Sequence, residues 1–258
     1  MEHKPRVALL IDADNSPSSK IDFILNELST FGETSIRRAY GNWKKQELKG
    51  WEDQLHEHAI RPMQQYDYSK GKNASDMAMV IDAMALLYTD RPDAFGIVSS
   101  DADFTPLVMH LREKGAAVYG FGAGKTPAPF VNACSRFLFL DKLAGGPDID
   151  LTASGADDRE ATPSNAPLRA TPTQLKRDAK LVTLLRNAVA AAQDDDGWAR
   201  VGAVGQQIGN QASFDPRNYG YATLTKLLAA TQLFDLDREG TSQVSVRDKR
   251  QGKVVKTA

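Results

Sequence analysis

Two apolar runs that both end in paired acid constrain this chain more than any other feature. RVALLID leads from Arg6 to Asp12 and on to Asp14, and DAFGIVSSD leads from Asp93 to Asp101 and on to Asp103. A continuous apolar run without polar alternation suits a strand buried on both faces, which is the strand of a parallel sheet covered by helices. The stretches around these runs alternate in the same sense. SKIDFILNELSTFG places Ile21, Ile24, Leu25 and Leu28 at helical spacing, with Gly32 as a stop. TSIRRAYGNW reads as a second strand, QELKGWEDQLHEHA as a helix and AIRPMQQYDY as a third strand. ASDMAMVIDAMALLYTD is the longest helical run, with Met77, Val80, Ile81, Met84 and Leu87 expected on its inner face. FTPLVMHLREKG reads as a helix and GAAVYGFG as a strand. A Pro-interrupted turn of helix and the strand RFLFLD then close the pattern at about Leu143. Strands alternating with helices predict an α/β fold, a parallel sheet with helices on both faces.

The texture changes from Ala144 to about Thr173. This stretch is rich in Gly, Pro, Ser, Thr and Ala, has few large apolar residues, and reads as a flexible linker over 144–173. Pattern resumes at Gln174, with Leu181, Leu184, Leu185 and Val189 on one helix face. Three helices followed by a β-hairpin over 174–247 is the order of a small winged-helix-like α+β domain, and 248–258 is a basic tail. A length of 258 residues fits one medium domain plus one small one. The single cysteine, Cys134, excludes a disulfide framework within the chain and suggests a reducing, cytoplasmic setting. No apolar run is long enough for a signal peptide or a membrane span, so no membrane partner is expected. A net charge of -1 excludes a global positive field, so any nucleic acid must be held by local basic patches.

In an open parallel sheet the crevice at the carboxyl ends of the strands is where ligands bind. Asp12, Asp14, Asp101 and Asp103 lie at such ends, and Asp76 opens the longest helix, so all can meet at one end of the sheet. Asn15 adds a neutral ligand or an orienting amide. Carboxylates crowded together raise each other's pKa unless a cation balances them. Oxygen donors without nearby His or Cys favour Mg2+ or Mn2+ over zinc. Such a site suits phosphoryl chemistry. Each acid also has a bland explanation, because Asp at a strand end or helix start often caps the helix. The joint pattern is harder to explain that way. Asp82, further along the helix, reads as a supporting or surface residue. The DAD at Asp12 also allows a phosphatase reading, but Ser16 and Pro17 stand where that pattern expects Thr or Val after the second acid.

IDADN, KGKNASDMAMVIDAM, and GIVSSDADFTPLV followed by LREKGAAVYGFG together resemble the NYN domain, a PIN-like nuclease family of the LabA and DUF88 kind. The resemblance spans about Val7 to Leu143 and keeps the motifs in the family's order. It implies a PIN-like Rossmannoid sheet and metal-dependent cleavage of RNA, with Asp12, Asp76, Asp101 and Asp103 as catalytic, metal-holding acids and Asn15 and Ser99 beside them. Where Asp14 stands the family often has a small residue, which puts Asp14 in doubt. Residues from Gln174 to Arg247 resemble an OST-HTH/LOTUS domain, through LLRNAV, GWARVGAVGQQI and NYGYATLTKLL. That resemblance implies an RNA-directed module beside the nuclease.

Candidate substrate contacts in the first domain are Arg37, Arg38, Lys44, Lys45, Lys70, Lys72 and Lys125, with Trp43 and Tyr66 as stacking surfaces. In the second they are Arg217, Asn218, Tyr219, Lys226 and the tail, with the helix around Tyr221 to Leu228 able to enter a groove. Any one of these is more often a solvated charge or a core aromatic than a contact. Three readings follow: a Mg2+- or Mn2+-dependent endoribonuclease acting on single-stranded or structured RNA, a non-catalytic RNA-binding adaptor, and a phosphatase of small esters. A second copy of the chain and a protein bound by the C-terminal domain are further partners to test.

Overall fold

The computed structural model describes residues 4–66, 74–142, 169–238, 240, 241 and 243–251. The two acid-ended apolar runs are neighbouring central strands. β1 (Arg6–Asp12) pairs with β4 (Ala94–Val98) on one side and β2 (Glu33–Gly41) on the other. With β3 (Arg61–Gln64), β5 (Ala117–Gly122) and β6 (Arg136–Phe139) they form a six-stranded sheet in the order β3-β2-β1-β4-β5-β6. Every pairing in it is parallel. The order reverses between β1 and β4, the point at which open α/β sheets present a crevice.

Successive side chains of a strand point to opposite faces, so β1 feeds two cores. Ala8 and Leu10 join Phe95 and Ile97 beneath α3 (Ala74–Thr89), α4 (Thr105–Glu113) and α5 (Ala128–Ala133). Val7, Leu9 and Ile11 join Ile21, Ile24 and Leu28 of α1 (Ile21–Ser29), with Trp51 just before α2 (Glu52–Glu57). Close packing leaves no space at Gly120 of β5. A Cβ there would lie 2.4 Å from Phe137 Cδ2 and 2.7 Å from Cys134 Sγ. Gly120→Ala is therefore expected to lose about 1–3 kcal/mol, as over-packed cores do. A melting temperature equal to wild type in a thermal scan would refute it.

The inner face of α3 differs from the one expected. Met77 and Ile81 are 58% and 64% exposed, whereas Met79, Ala83 and Leu86 are buried. Val80, Met84 and Leu87 do pack against the core. This helix is apolar almost all round, so periodicity selects no face. A polar contact sets the rotation: Asp82 accepts hydrogen bonds from Arg38 and from the Tyr40 hydroxyl, both on β2.

The C-terminal unit contains α6 (Pro172–Arg177), α7 (Ala179–Ala192), α8 (Val201–Gln211) and α9 (Leu224–Thr231). A small antiparallel sheet joins β7 (Ala199–Arg200), β9 (Ser245–Asp248) and β8 (Phe234–Asp237) in that order. Leu181, Leu185, Val189, Ile208, Leu227 and Val246 share its core. The single helix expected from Gln174 onward is broken at Asp178, whose carboxylate caps α7 by accepting from Leu181 N at 3.0 Å. Helix α6 also starts earlier, at Pro172, within the stretch read as linker. The rest of that stretch, 144–168, and the tail residues 252–258 lie outside the described residues.

The two units meet along β6, an edge strand of the large sheet. An open edge presents unpaired backbone groups. Asn218 covers part of it: Phe139 N donates to Asn218 Oδ1 at 3.0 Å, and Asn218 Nδ2 donates to Phe137 O at 2.8 Å. Beside it Arg217 donates to both oxygens of Glu27, at 2.6 and 2.7 Å, and to both oxygens of Asp215. Arg136 of β6 donates to Asp215 at 2.7 Å. Asp215 is fully buried and Glu27 nearly so. Two acids and two arginines thus form a balanced network at the seam.

Candidate functional site

The site starts with Asp12, the last residue of β1. It is 1% exposed, because the strand that carries it runs through the centre of the sheet. Ser99 Oγ donates to its Oδ2 at 2.9 Å, and Asn15 Nδ2 lies 3.1 Å from the same oxygen and 3.3 Å from the other. Burial pushes its pKa up, with a further push from the Asp14 charge, against the hydrogen bonds from Ser99 and Asn15. Ser99 also reaches the next acid, since Asp101 N donates to Ser99 Oγ at 3.1 Å. Asp101 in turn caps the turn that follows β4, accepting from Asp103 N at 2.8 Å. Its capping role and a place in the site are therefore compatible.

Asp76 lies in the first turn of α3. Its pKa is pushed up to about 6, first by burial and then by the charges of Asp12, Asp101, Asp14 and Asp103. These acids therefore share one electrostatic field, although they come from three separate segments. Asp14 is set apart by its partners. It accepts from Ser75 Oγ at 2.8 Å and pairs with Lys45 Nζ at 3.1 Å, so its charge is balanced within the chain. Among the described residues no ion pair falls on Asp12, Asp76 or Asp101. No three of the described acids, histidines or cysteines are close enough together to hold one ion as they stand. The donor set nonetheless fits a hard divalent cation in chemistry: it is all carboxylate oxygen, and among the described residues no ion pair balances Asp12, Asp76 or Asp101.

A pH dependence follows. An acid whose folded pKa is raised binds its proton more tightly folded than unfolded, so its ionisation costs stability as pH rises from about 4 to above 6. Asp76→Asn is therefore expected to raise the melting temperature of the metal-free protein at pH 7.5, by about 2–6 °C for roughly 1–2 kcal/mol after solvent screening. Near pH 4 the gain should vanish. An equal gain at both pH values in paired thermal scans would count against the shared field.

The other expected contacts divide. Arg38 is not available to substrate, because Asp82 takes its guanidinium; the half-buried pair needs mutual compensation more than either needs solvent. Arg37 donates to the carbonyls of Thr34 and His58. Arg217 and Asn218, expected at RNA, are the residues that join the two units. Tyr219 is half-buried, and burial and the nearby Asp178 push its pKa up to about 12. Lys44, Lys125 and Lys226 are exposed, and Lys44 Nζ sits 5.0 Å from the centre of the exposed Tyr66 ring. Trp43 packs against the core instead. Lys70 and Lys72 lie outside the described residues. Sequence reasoning missed Ser75 and the partnership of Lys45 with Asp14. Only the adjacency of Ser75 to Asp76 hinted at the former.

A family model of the NYN domain matches residues 6–141. The chain belongs to the NYN domain family. NYN domains fall within the PIN-like nuclease superfamily, and the six-stranded parallel sheet agrees with that fold. An OST-HTH/LOTUS model matches residues 175–246, so the NYN domain is followed by a module of a kind that implies RNA binding. An uncharacterized protein of Methanocaldococcus jannaschii is 32% identical over 122 residues, covering 46% of this chain and 48% of the relative. The chain thus spans about half the length of that relative. A protein of unknown function from Vibrio parahaemolyticus aligns with a TM-score of 0.44 at 17% identity, over 54% of this chain and 94% of the other. No described helix is long and apolar enough to cross a membrane.

Proposed function

We propose that this NYN protein is a divalent-metal-dependent endoribonuclease whose C-terminal OST-HTH/LOTUS module helps hold the RNA. The observation that carries the reading is the acid cluster at the switch point of the sheet, where burial and then the charges of Asp12, Asp101, Asp14 and Asp103 raise the pKa of Asp76 to about 6, with no cation paired to Asp12, Asp76 or Asp101 among the described residues. Asp12, Asp76, Asp101 and Asp103 would hold Mg2+ or Mn2+, which supplies Lewis acidity toward a phosphodiester and a more acidic water. The chain's own residues prepare the acids. Ser99 and Asn15 orient the Asp12 carboxylate, and the Ser99 hydroxyl accepts from Asp101 N, linking the two strand ends. Lys45 and Ser75 restrain Asp14, which leaves it facing its own partners rather than the other acids, although its charge still raises the pKa of Asp12 and Asp76. Lys44 and Lys125, both exposed, are available to neutralise RNA phosphates, with Lys226 doing so from the second module.

The spread of the carboxylates, no three of which share a coordination shell among the described residues, favours one alternative, an RNA-binding adaptor without chemistry. Incubating the purified full chain with end-labelled single-stranded RNA separates the two. Internal fragments that need Mg2+ or Mn2+ and vanish with a chelator are expected. Binding without cleavage under every metal condition would install the adaptor reading.

A further inference from the structure

Beside the acids, on the β1–β5–β6 side, lies a cleft of about 190 Å3. Its lining includes Asn15, Ser19, Lys20, Ser100, Leu140 and Asp141. Asn15 belongs to both places, since its Nδ2 donates to Asp12 while its residue forms part of the cleft wall. Ser100 directly follows Ser99 and precedes Asp101, so the cleft and the acids share a strand end. Anything bound in the cleft is therefore a near neighbour of a phosphate held at the acids.

The lining chemistry narrows the occupant. It has no aromatic ring, so it offers no surface on which a base could stack. It has instead an ammonium, a carboxylate, an amide and hydroxyls around a small space. Ser100 Oγ accepts from Ala123 N at 2.8 Å, which leaves its own proton to donate. Asp141 Oδ1 accepts from Gly124 N at 2.8 Å, which fixes the carboxylate with acceptor capacity to spare. A fixed carboxylate in one small cleft with a hydroxyl and an ammonium suits a group that donates and accepts at once. The 2′-hydroxyl of ribose does both, and it is the group that separates RNA from DNA. Carboxylates at strand ends in open α/β sheets bind ribose hydroxyls in the same manner.

We propose that this cleft is the ribose subsite for a nucleotide next to the phosphate held at the acids, with Asp141 accepting from the 2′-hydroxyl and Ser100 and Lys20 donating to the sugar oxygens. The proposal rests on the nuclease reading and adds the source of its preference for RNA over DNA. Asp141 is exposed and outside the two cores, so its replacement leaves the fold in place.

The test compares matched single-stranded RNA and DNA oligonucleotides with the full chain and Mn2+. Wild type should favour RNA in kcat/KM by about tenfold to a hundredfold, the worth of a hydrogen bond to a charged group. Asp141→Ala should bring the ratio close to one by lowering the RNA value, and Asp141→Asn, which keeps an acceptor oxygen, should fall between. An RNA-to-DNA ratio in Asp141→Ala equal to wild type overturns the subsite. Wild-type hydrolysis of bis(p-nitrophenyl) phosphate, which has no sugar, reports on the acids separately. If wild type cuts neither this diester nor any oligonucleotide, the nuclease reading fails, and the subsite is judged by affinity. Binding of the same RNA and DNA should then show the ratio shrinking in Asp141→Ala, and an unchanged ratio rejects it.

Discussion

Replacing Asp12 by Asn should lower metal-dependent RNA cleavage by about a thousandfold or more while leaving the protein at least as stable. The rate argument starts from charge. A metal-held phosphodiester draws several kcal/mol of transition-state stabilisation from its ion, and about 4 kcal/mol corresponds to three decades of rate. Asn keeps the shape of Asp12 and one acceptor oxygen for Ser99 or Asn15, but removes the charge that a cation needs. The stability argument runs the other way. Asp12 is buried at 1% exposure and its carboxyl is pushed upward chiefly by that burial, so the neutral amide suits the metal-free fold better than the carboxylate. Asp101→Asn should act similarly on rate without a folding penalty, because Asn caps a turn as well as Asp does. The check is a pair of measurements on each variant, cleavage of labelled RNA with Mn2+ and a thermal melt. Wild-type cleavage by the Asp12→Asn protein would end the active-site reading. Lost cleavage together with a large fall in Tm would instead make Asp12 a folding residue.

Arg217→Ala should destabilise the chain by about 3–5 kcal/mol, the loss expected when one member of a buried charged network is removed. Its guanidinium serves Glu27 of the NYN domain and Asp215 of the C-terminal module at once. Among the described residues, alanine leaves Glu27 paired with Arg136 alone, at 3.8 Å. The hydrogen bonds that Arg217 donates to Glu27 and Asp215 also hold it firmly in its charged form. A fall in Tm of about 6–20 °C is expected at the usual 2–4 °C per kcal/mol for chains of this size. Arg217→Lys should recover part of the loss, because an ammonium keeps the charge but not the fork that reaches both oxygens of Glu27. Limited proteolysis should then cut between the modules faster in Arg217→Ala. A melt within about 1 °C of wild type would show that the seam adds little to stability.

These two residues illustrate how differently the chain announces its parts. Asp12 was legible because a sheet buried on both faces needs uninterrupted apolar strands, and RVALLID and FGIV have them; acid at their ends then marks the crevice. Asp76 was read from its place at the start of a helix, and Ser99 came only from the resemblance to the family's motif. The face of α3 was not legible. A helix apolar nearly all round carries no periodic signal, and its rotation depends on Asp82 meeting Arg38 and Tyr40 across 42 or more positions of chain. The internal partners of Arg217 and Arg38 were not legible for the same kind of reason. An arginine looks equally suited to RNA or to an internal acid, and only the folded chain shows which acid arrives beside it.

The sequence alone therefore determined the strand-helix alternation, the second module and the placing of acids at the strand ends, because these depend on local periodicity and on residue chemistry at element ends. The tertiary structure decided which charges are balanced within the chain and which are left over. Lys45 and Ser75 hold Asp14, Asp82 takes Arg38, and Glu27 and Asp215 take Arg217. Asp12, Asp76 and Asp101 are left without a paired cation among the described residues. Charge balance depends on distance in space, and distance between residues far apart in the chain exists only once the chain has folded.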